Sequence, residues 1–193
     1  MQYYFIKTLG KSRTDKFCMT DGMPKGIEGD KSALEYGGTL KSVYPGDPLE
    51  VTMKLDEDKP KHIKLGSFIS TTSKYIMISS EVIEALKKFN IGEVEFWSFT
   101  LLNHKDRVHS QDYSFVCPVH QYDAINEDLS EFRRDSNGIP LRIKKVVLDE
   151  AKLKNAPDMF RVNDIRYMAF SEPLAQALQE KFTNFVFEKA EQV

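Results

Sequence analysis

The side chains able to do chemistry are spread along this chain and match no catalytic or ligand spacing. His104 and His109 flank a charged turn with Asp106 and Asp112 nearby. A metal needs three or four converging ligands, and a hairpin tip supplies no such convergence from sequence alone, so these residues read as an exposed turn. His62 and His120 stand alone. Serines are plentiful, yet no G-x-S-x-G elbow, H-E-x-x-H or C-x-x-C occurs, and Gly37-Gly38 lacks the Lys and helix of a phosphate cradle. Cys18 and Cys117 fit no metal or redox spacing and read as buried thiols, with a structural disulfide the lesser alternative. The expectation is no catalytic residue, no metal and no cofactor. A triad assembled from distant residues is set by geometry and stays open.

The most distinctive charge feature runs from Asp112 to Glu131. It holds Asp112, Asp123, Glu127, Asp128 and Glu131 with no Lys or Arg. Such a stretch can face a basic partner, because opposed potentials speed association and set register. It is equally the composition of a solvated loop, and that is the more common case. Trp97 lies between Phe96 and Phe99 in one strand. It is either an interface anchor or a core residue, with Phe96 on one side of the sheet and Trp97 on the other. Arg133-Arg134 read as a solvated pair. Arg142, Lys144 and Lys145 alternate with Ile143 and Val146, as on the wet face of a strand.

Two stretches must position these residues. From Tyr75 to Phe99 the pattern is strand, short helix, strand, with Val82, Ile83, Leu86 and Phe89 on one helical face. Ser80 is placed to cap the first turn, Glu81 suits its positive end, and Gly92 releases the chain. From Arg166 to Phe187 the plan returns: Met168-Ala169-Phe170-Ser171-Glu172 echoes Met77-Ile78-Ser79-Ser80-Glu81. Pro173 sits in the first turn, and Leu174, Ala177, Leu178 and Phe182 form the apolar face. The repeat is either an internal duplication or two amphipathic helices with common capping chemistry.

The remaining signals are shorter. Tyr3 to Leu9 suits a first strand. Lys11 to Lys41 is glycine-punctuated loop with a short strand at Phe17 to Met19, and Leu49, Val51, Met53 and Leu55 alternate on one face. Val94 to Leu102 reads as a well-buried strand, with Tyr113 to Val116 returning beside it. Asp123 to Asp135 reads as irregular and Asn137-Gly138-Ile139-Pro140 as a turn. Ile143 to Leu148 is a strand, Asp149 to Asn155 holds a helical turn, and Met159 to Val162 is extended. The chain has 193 residues, 41% hydrophobic, with a net charge of −2. That fits one soluble domain, carries no basic stripe for nucleic acid, and has no run of the ~20 apolar residues that crosses a bilayer. The N-terminus lacks a signal-peptide pattern, so a cytoplasmic location is expected. The fold class is α+β: one domain with a mixed or antiparallel sheet and two short amphipathic helices in strand-helix-strand units.

In segment order the chain resembles the immunity-protein family of bacterial polymorphic toxin systems, formerly a domain of unknown function. The matching features are Tyr3-Tyr4-Phe5, the Ser-Glu helix start after Tyr75-Ile76-Met77-Ile78-Ser79, Val94-Glu95-Phe96, and Asp112-Tyr113-Ser114-Phe115-Val116 leading to Tyr122-Asp123-Ala124-Ile125. They end with Val146-Val147-Leu148-Asp149, Met159-Phe160-Arg161 and Phe170-Ser171-Glu172. The resemblance divides the single domain 1–193 into a variable, loop-rich part, 1–66, and a better-matching core, 67–193. It implies a protein that binds and blocks a cognate toxin, with no catalytic residues to carry over. On that reading the partner is the toxin's C-terminal domain, for example a basic nuclease, with no direct contact to nucleic acid or membrane and an open oligomeric state. The residues singled out for toxin contact are Asp112, Asp123, Glu127, Asp128, Glu131 and Trp97. The rival reading is a small cytoplasmic enzyme that reverses toxin damage or acts on a small metabolite.

Overall fold

A computed structural model describes residues 1–8, 15–73, 75–136 and 140–193. Leu9 and the turn at Asn137-Gly138-Ile139 lie outside the described residues. The chain opens with strand β1 (Tyr3–Thr8), then β2 (Met19–Thr20), the one-turn helix α1 (Ala33–Tyr36), β3 (Thr52–Lys54), β4 (Phe68–Thr71) and β5 (Ile76–Ser79). Helix α2 (Ser80–Leu86) leads into a long hairpin of β6 (Val94–Leu102) and β7 (Val108–Pro118). Next come β8 (Gln121–Tyr122), β9 (Glu131–Arg134), β10 (Pro140–Lys145), β11 (Val147–Leu148) and β12 (Met159–Val162). The chain closes with β13 (Met168–Ser171), α3 (Glu172–Lys181), β14 (Phe185–Lys189) and β15 (Glu191–Gln192). The α+β class follows, with mixed and antiparallel pairing.

The strands form a six-stranded sheet, β2-β4-β5-β7-β6-β3, and a five-stranded sheet, β14-β1-β13-β12-β8. The two repeat one plan. In each, a two-residue strand runs parallel to an edge of a hairpin (β2 on β4, β8 on β12), and the hairpin's second strand feeds a helix. That second strand then pairs antiparallel with a strand from elsewhere in the chain, which is β7 for β5 and β1 for β13. The strand after the helix pairs with that same partner, β6 on β7 and β14 on β1. A further parallel pair, β3 on β6 and β11 on β15, completes each half. Register matches as well: Ser79 faces Tyr113 and Ser171 faces Tyr3. Tyr113 Oη donates to the Gly66 carbonyl at 2.7 Å, and Tyr3 Oη to that of Pro157 at 3.1 Å. The repeated strand-helix-strand plan of the sequence is therefore the plan of both sheets. The second half alone borrows a strand: β1, from the start of the chain, completes the sheet of β13 and β14, while β7 follows β6 within the first half.

Alternation along these strands sorts side chains to opposite faces. Ile76 and Ile78 of β5, with Met168 and Phe170 of β13, enter a central cluster shared with Val82 and Leu86 of α2 and Leu174 and Leu178 of α3. Met77, Phe99, Leu101 and Phe115 enter a second cluster on the far side of the first sheet. Tyr3, Phe160, Val162 and Ala169 do the same for the second sheet. The halves also interlock in the backbone. Asp158 N donates to the Asn90 carbonyl at 2.6 Å, while Thr183 N donates to Ser67 Oγ at 3.2 Å. Each helix is thus tied to the other half's hairpin.

Several expectations need correction. Ser79, not Ser80, is the N-cap of α2, and its hydroxyl makes no cap bond; Ser80 Oγ donates instead to Asp112. Ser171 does cap α3, accepting from Leu174 N at 3.4 Å. Ala175, not Ala177, joins Leu174 and Leu178 in the buried face. The stretch from Asp123 is only partly irregular, since Glu131–Arg134 pairs with Pro140–Lys145 as a two-stranded hairpin. Val146 falls between β10 and β11, so the strand expected at Ile143 to Leu148 is broken in two. Leu49 is exposed, while Val51, Met53 and Leu55 are buried as the alternation requires. The loop from Gly22 to Gly38 contains α1, whose Ala33 and Leu34 are buried. No helix among the described residues is long and apolar enough to cross a membrane.

Candidate functional site

The acidic residues separate into three places. Asp112 lies on β7 and accepts from Ser80 Oγ, beside the start of α2. Asp123, Glu127 and Asp128 follow β8 on an exposed segment, and Glu131 opens β9. Asp123 accepts from Lys152 Nζ at 2.9 Å, and that bond holds the Lys152 ammonium above its usual pKa. Glu127 takes Arg134 Nη2 at 2.8 and 3.0 Å, and Glu131 lies 4.0 Å from Lys144. These pairs are solvent-exposed and worth little individually. The fold brings Asp123, Glu127, Asp128 and Glu131 onto one segment that runs into the β9–β10 hairpin, while Asp112 and Trp97 belong to the first sheet.

That hairpin is half core and half surface. Phe132 and Ile143 face each other across it and pack on the outer cluster of the second sheet. On the other face Arg133 pairs directly with Arg142, both exposed, so like charges stand opposite one another. Leu129, ahead of the hairpin, and Leu141 of β10 are 49% and 65% exposed.

Trp97 is half-buried. It packs on the outer cluster of the first sheet, its ring 4.7 Å from that of Tyr44, and its Nε1 donates to Glu95 at 3.1 Å. Phe96 packs on the central cluster, so the two aromatics take opposite faces as their adjacency requires. The imidazoles are dispersed. His104 Nε2 donates to the Asp56 carbonyl, His109 Nε2 to that of Ile63, and His62 Nδ1 to that of Phe17. Among the described residues no three His, Cys, Asp or Glu gather as metal ligands. Both cysteines are free and buried in the same cluster, and burial pushes each thiol up to about 12, far from the thiolate a nucleophile needs.

A cavity of about 410 Å³ opens where the two sheets meet. The first sheet contributes Thr71 at the end of β4, Thr72 and Ser73 beyond it, Tyr75 and Ile76; the second contributes Lys7, Arg161, Arg166, Tyr167 and Met168. Arg161 is fully buried on β12. Its Nη1 donates to the Arg166 carbonyl at 3.1 Å and its Nη2 to the Leu34 carbonyl at 3.4 Å, which fastens α1 to the second sheet. Burial pulls its guanidinium down to about 10, with Cys117 and Glu35 acting the other way, so it stays charged at neutral pH. Arg166 Nη1 lies 3.1 Å from Glu35 and its guanidinium 4.9 Å from the Tyr36 ring.

The chain matches no protein-family model, and no curated protein matches it.

What the acidic run and the aromatic strand did not point to is the seam cavity. Its signal was present but small: one cation, Arg161, inside the otherwise apolar strand Met159–Val162, all four residues of which are buried. An arginine at such a position is costly unless it is paired, and here the Arg166 and Leu34 carbonyls accept from it.

Proposed function

We propose that this protein is an immunity protein that binds and neutralises a cognate bacterial toxin by stoichiometric occlusion, acting in the cytoplasm without chemistry of its own. The partner is the toxin's C-terminal domain, with a basic nuclease as the fitting class. The observation that supports this reading best is the segment from Asp123 to Lys145. There five carboxylates (Asp123, Glu127, Asp128, Glu131 and Asp135) precede or interleave with five cations (Arg133, Arg134, Arg142, Lys144 and Lys145), and the segment, with the exposed Leu129 and Leu141, is held against the second sheet by Phe132 and Ile143. A rigid mount under an amphipathic surface is what a blocking protein requires, since pre-organisation cuts the cost of association. The Ser-Glu helix starts and apolar framework quoted above are the residues on which the resemblance to that family rests.

The test is co-expression with a toxic C-terminal domain, sought in the reading frame immediately upstream. Cells survive and the two proteins co-purify; with Asp123, Glu127 and Asp128 reversed to Lys, survival and co-purification are lost. Unchanged affinity and salt dependence in that triple variant would remove the acidic segment from the interface. The second reading, a small enzyme that reverses toxin damage or acts on a metabolite, is favoured by one observation, the seam cavity with its buried guanidinium. Turnover of the toxin's product by protein unable to bind the toxin would decide for it.

A further inference from the structure

The matched register of the two sheets lets their outer faces be compared residue by residue. With Tyr113 against Ser79 and Tyr3 against Ser171, Phe115 and Cys117 of β7 correspond to Phe5 and Lys7 of β1. Phe115 pairs with Trp97 and Cys117 with Glu95, whereas Phe5 pairs with Glu188 and Lys7 with Val186. Tyr75 and Tyr167 correspond as well, each one residue ahead of the strand that feeds a helix.

In the first sheet this face is covered by the chain from Ala33 to Tyr44. Leu34 and Leu40 are buried in one cluster with Phe115 and Cys117, Thr39 and Lys41 bond to Glu95, and Tyr44 packs on Trp97. Gly38 N donates to the Pro118 carbonyl at the end of β7. Under this cover Phe115 and Cys117 have no exposed surface. In the second sheet the corresponding residues lie open. The Lys7 and Glu188 side chains are 61% and 54% exposed, Val186 is 37% exposed, and Phe5 and Tyr167 line the seam cavity. The stretch in the corresponding place of the chain, between β8 and β11, forms the β9–β10 hairpin, which packs through Phe132 and Ile143 and leaves them uncovered.

We propose that this open face of β1 and β14, with the seam cavity beside it, docks a peptide segment of a partner protein through a large apolar anchor, as the chain from Ala33 to Tyr44 docks on the first sheet.

The first half shows what such a cover consists of, and the residues that change show how this one differs. An anchor in the place of Leu34 or Leu40 meets Phe5, Tyr167 and Val186, and the cavity of about 410 Å³ has room for it. Where Glu95 takes Thr39 and Lys41, the second sheet has Val186; where Trp97 takes Tyr44, it has Glu188. The docking segment therefore carries an apolar residue in place of Lys41 and a cation in place of Tyr44. The Lys7–Glu188 pair at 2.6 Å does not close the face, since an exposed ion pair is weakly held. β14 is also the edge strand of its sheet, so an extended segment can add to its backbone. The face shares no residue with the acidic segment proposed for toxin contact, so the two proposals stand or fall separately.

The test is titration of the intact protein, followed by amide NMR shifts, with a synthetic peptide of Asp30–Tyr44 carrying Lys41→Val and Tyr44→Lys. The expected result is saturable binding, with shifts centred on Phe5–Lys7, Tyr167 and Val186–Glu188. The same peptide with Leu34→Asp and Leu40→Asp binds about tenfold more weakly or worse, because its anchors are gone. In the protein, Val186→Lys sits at an exposed edge position where it leaves the core untouched, removes the apolar contact and repels the peptide's cation; it weakens binding about tenfold or more. No shifts at millimolar peptide, shifts confined to the first sheet, equal binding of the aspartate-substituted peptide, or undiminished binding by Val186→Lys would overturn the proposal.

Discussion

In the first sheet the buried place beside the short parallel strand holds Ser70, and in the second it holds Arg161. Over the five strands they share, the two sheets agree in order, direction and register, down to a tyrosine phenol reaching a carbonyl at the turn into each hairpin; β3 then extends the first sheet, whereas β11 and β15 pair apart from the second. Where the halves agree, the residue is answering the fold, and apolar alternation with a serine at the helix start is enough to meet that demand. Where they differ, the residue is answering something else. The larger differences include the arginine at the seam, the β9–β10 hairpin, and the pair of buried cysteines in the first half's cluster.

That comparison can be broken most forcefully at the shared centre. Phe170 is buried in the cluster both sheets share, whereas Phe115 is buried in the cluster of the first sheet alone. Phe170→Ala and Phe115→Ala each cost about 3–5 kcal/mol by urea unfolding. Because β1 completes the second sheet and the central cluster draws on both sheets, both variants still unfold in a single transition. Separate transitions for the two sheets would show that they do not depend on one another.

The tyrosines give a finer contrast. Tyr113 Oη has one partner, Gly66, at 2.7 Å, while Tyr3 Oη divides between Ala156 and Pro157 at 3.2 and 3.1 Å. Tyr113→Phe should cost about 1 kcal/mol in denaturant unfolding, and Tyr3→Phe less, because the shorter undivided bond is the better one. The helix starts differ in the same way. Ser171 accepts from Leu174 N and its hydroxyl donates to Asp158 at 2.5 Å, whereas the Ser79 hydroxyl makes no cap bond. Ser171→Ala costs about 1 kcal/mol and Ser79→Ala stays within about 0.5 kcal/mol. A reversed order would mean that the cap bonds do not set helix stability here. The smallest effect concerns the thiols. With both pushed up to about 12, Cys18 and Cys117 resist iodoacetamide in the native protein at pH 8 and react on unfolding.

Much of the frame was legible from the chain alone. The helices at Ser80–Leu86 and Glu172–Lys181 follow from apolar spacing, and the opposite facing of Phe96 and Trp97 follows from their adjacency. What sequence could not give is which strand borrows from which. Tyr3–Thr8 lies between β13 and β14, contributed by the far end of the chain, and no local pattern encodes a pairing at that separation. The two-residue parallel strands are too short to carry a period. The cap of α2 was misplaced by one residue because Ser79 and Ser80 are adjacent and either could serve. For the candidate sites, the acidic run was visible as composition, but its division between β7 and the segment after β8 depends on folding. Arg161 was visible as a lone cation in an apolar strand, but that it fastens α1 to the second sheet, where the other half has a serine, depends on folding.

The central claim is that the protein neutralises by occupying its partner and not by turnover. It is tested most directly by titrating the partner domain's activity with purified protein. The account predicts a linear fall that reaches zero at one equivalent, independent of incubation time, with a one-to-one complex recovered. Complete protection at a small fraction of an equivalent, growing with time, would contradict it.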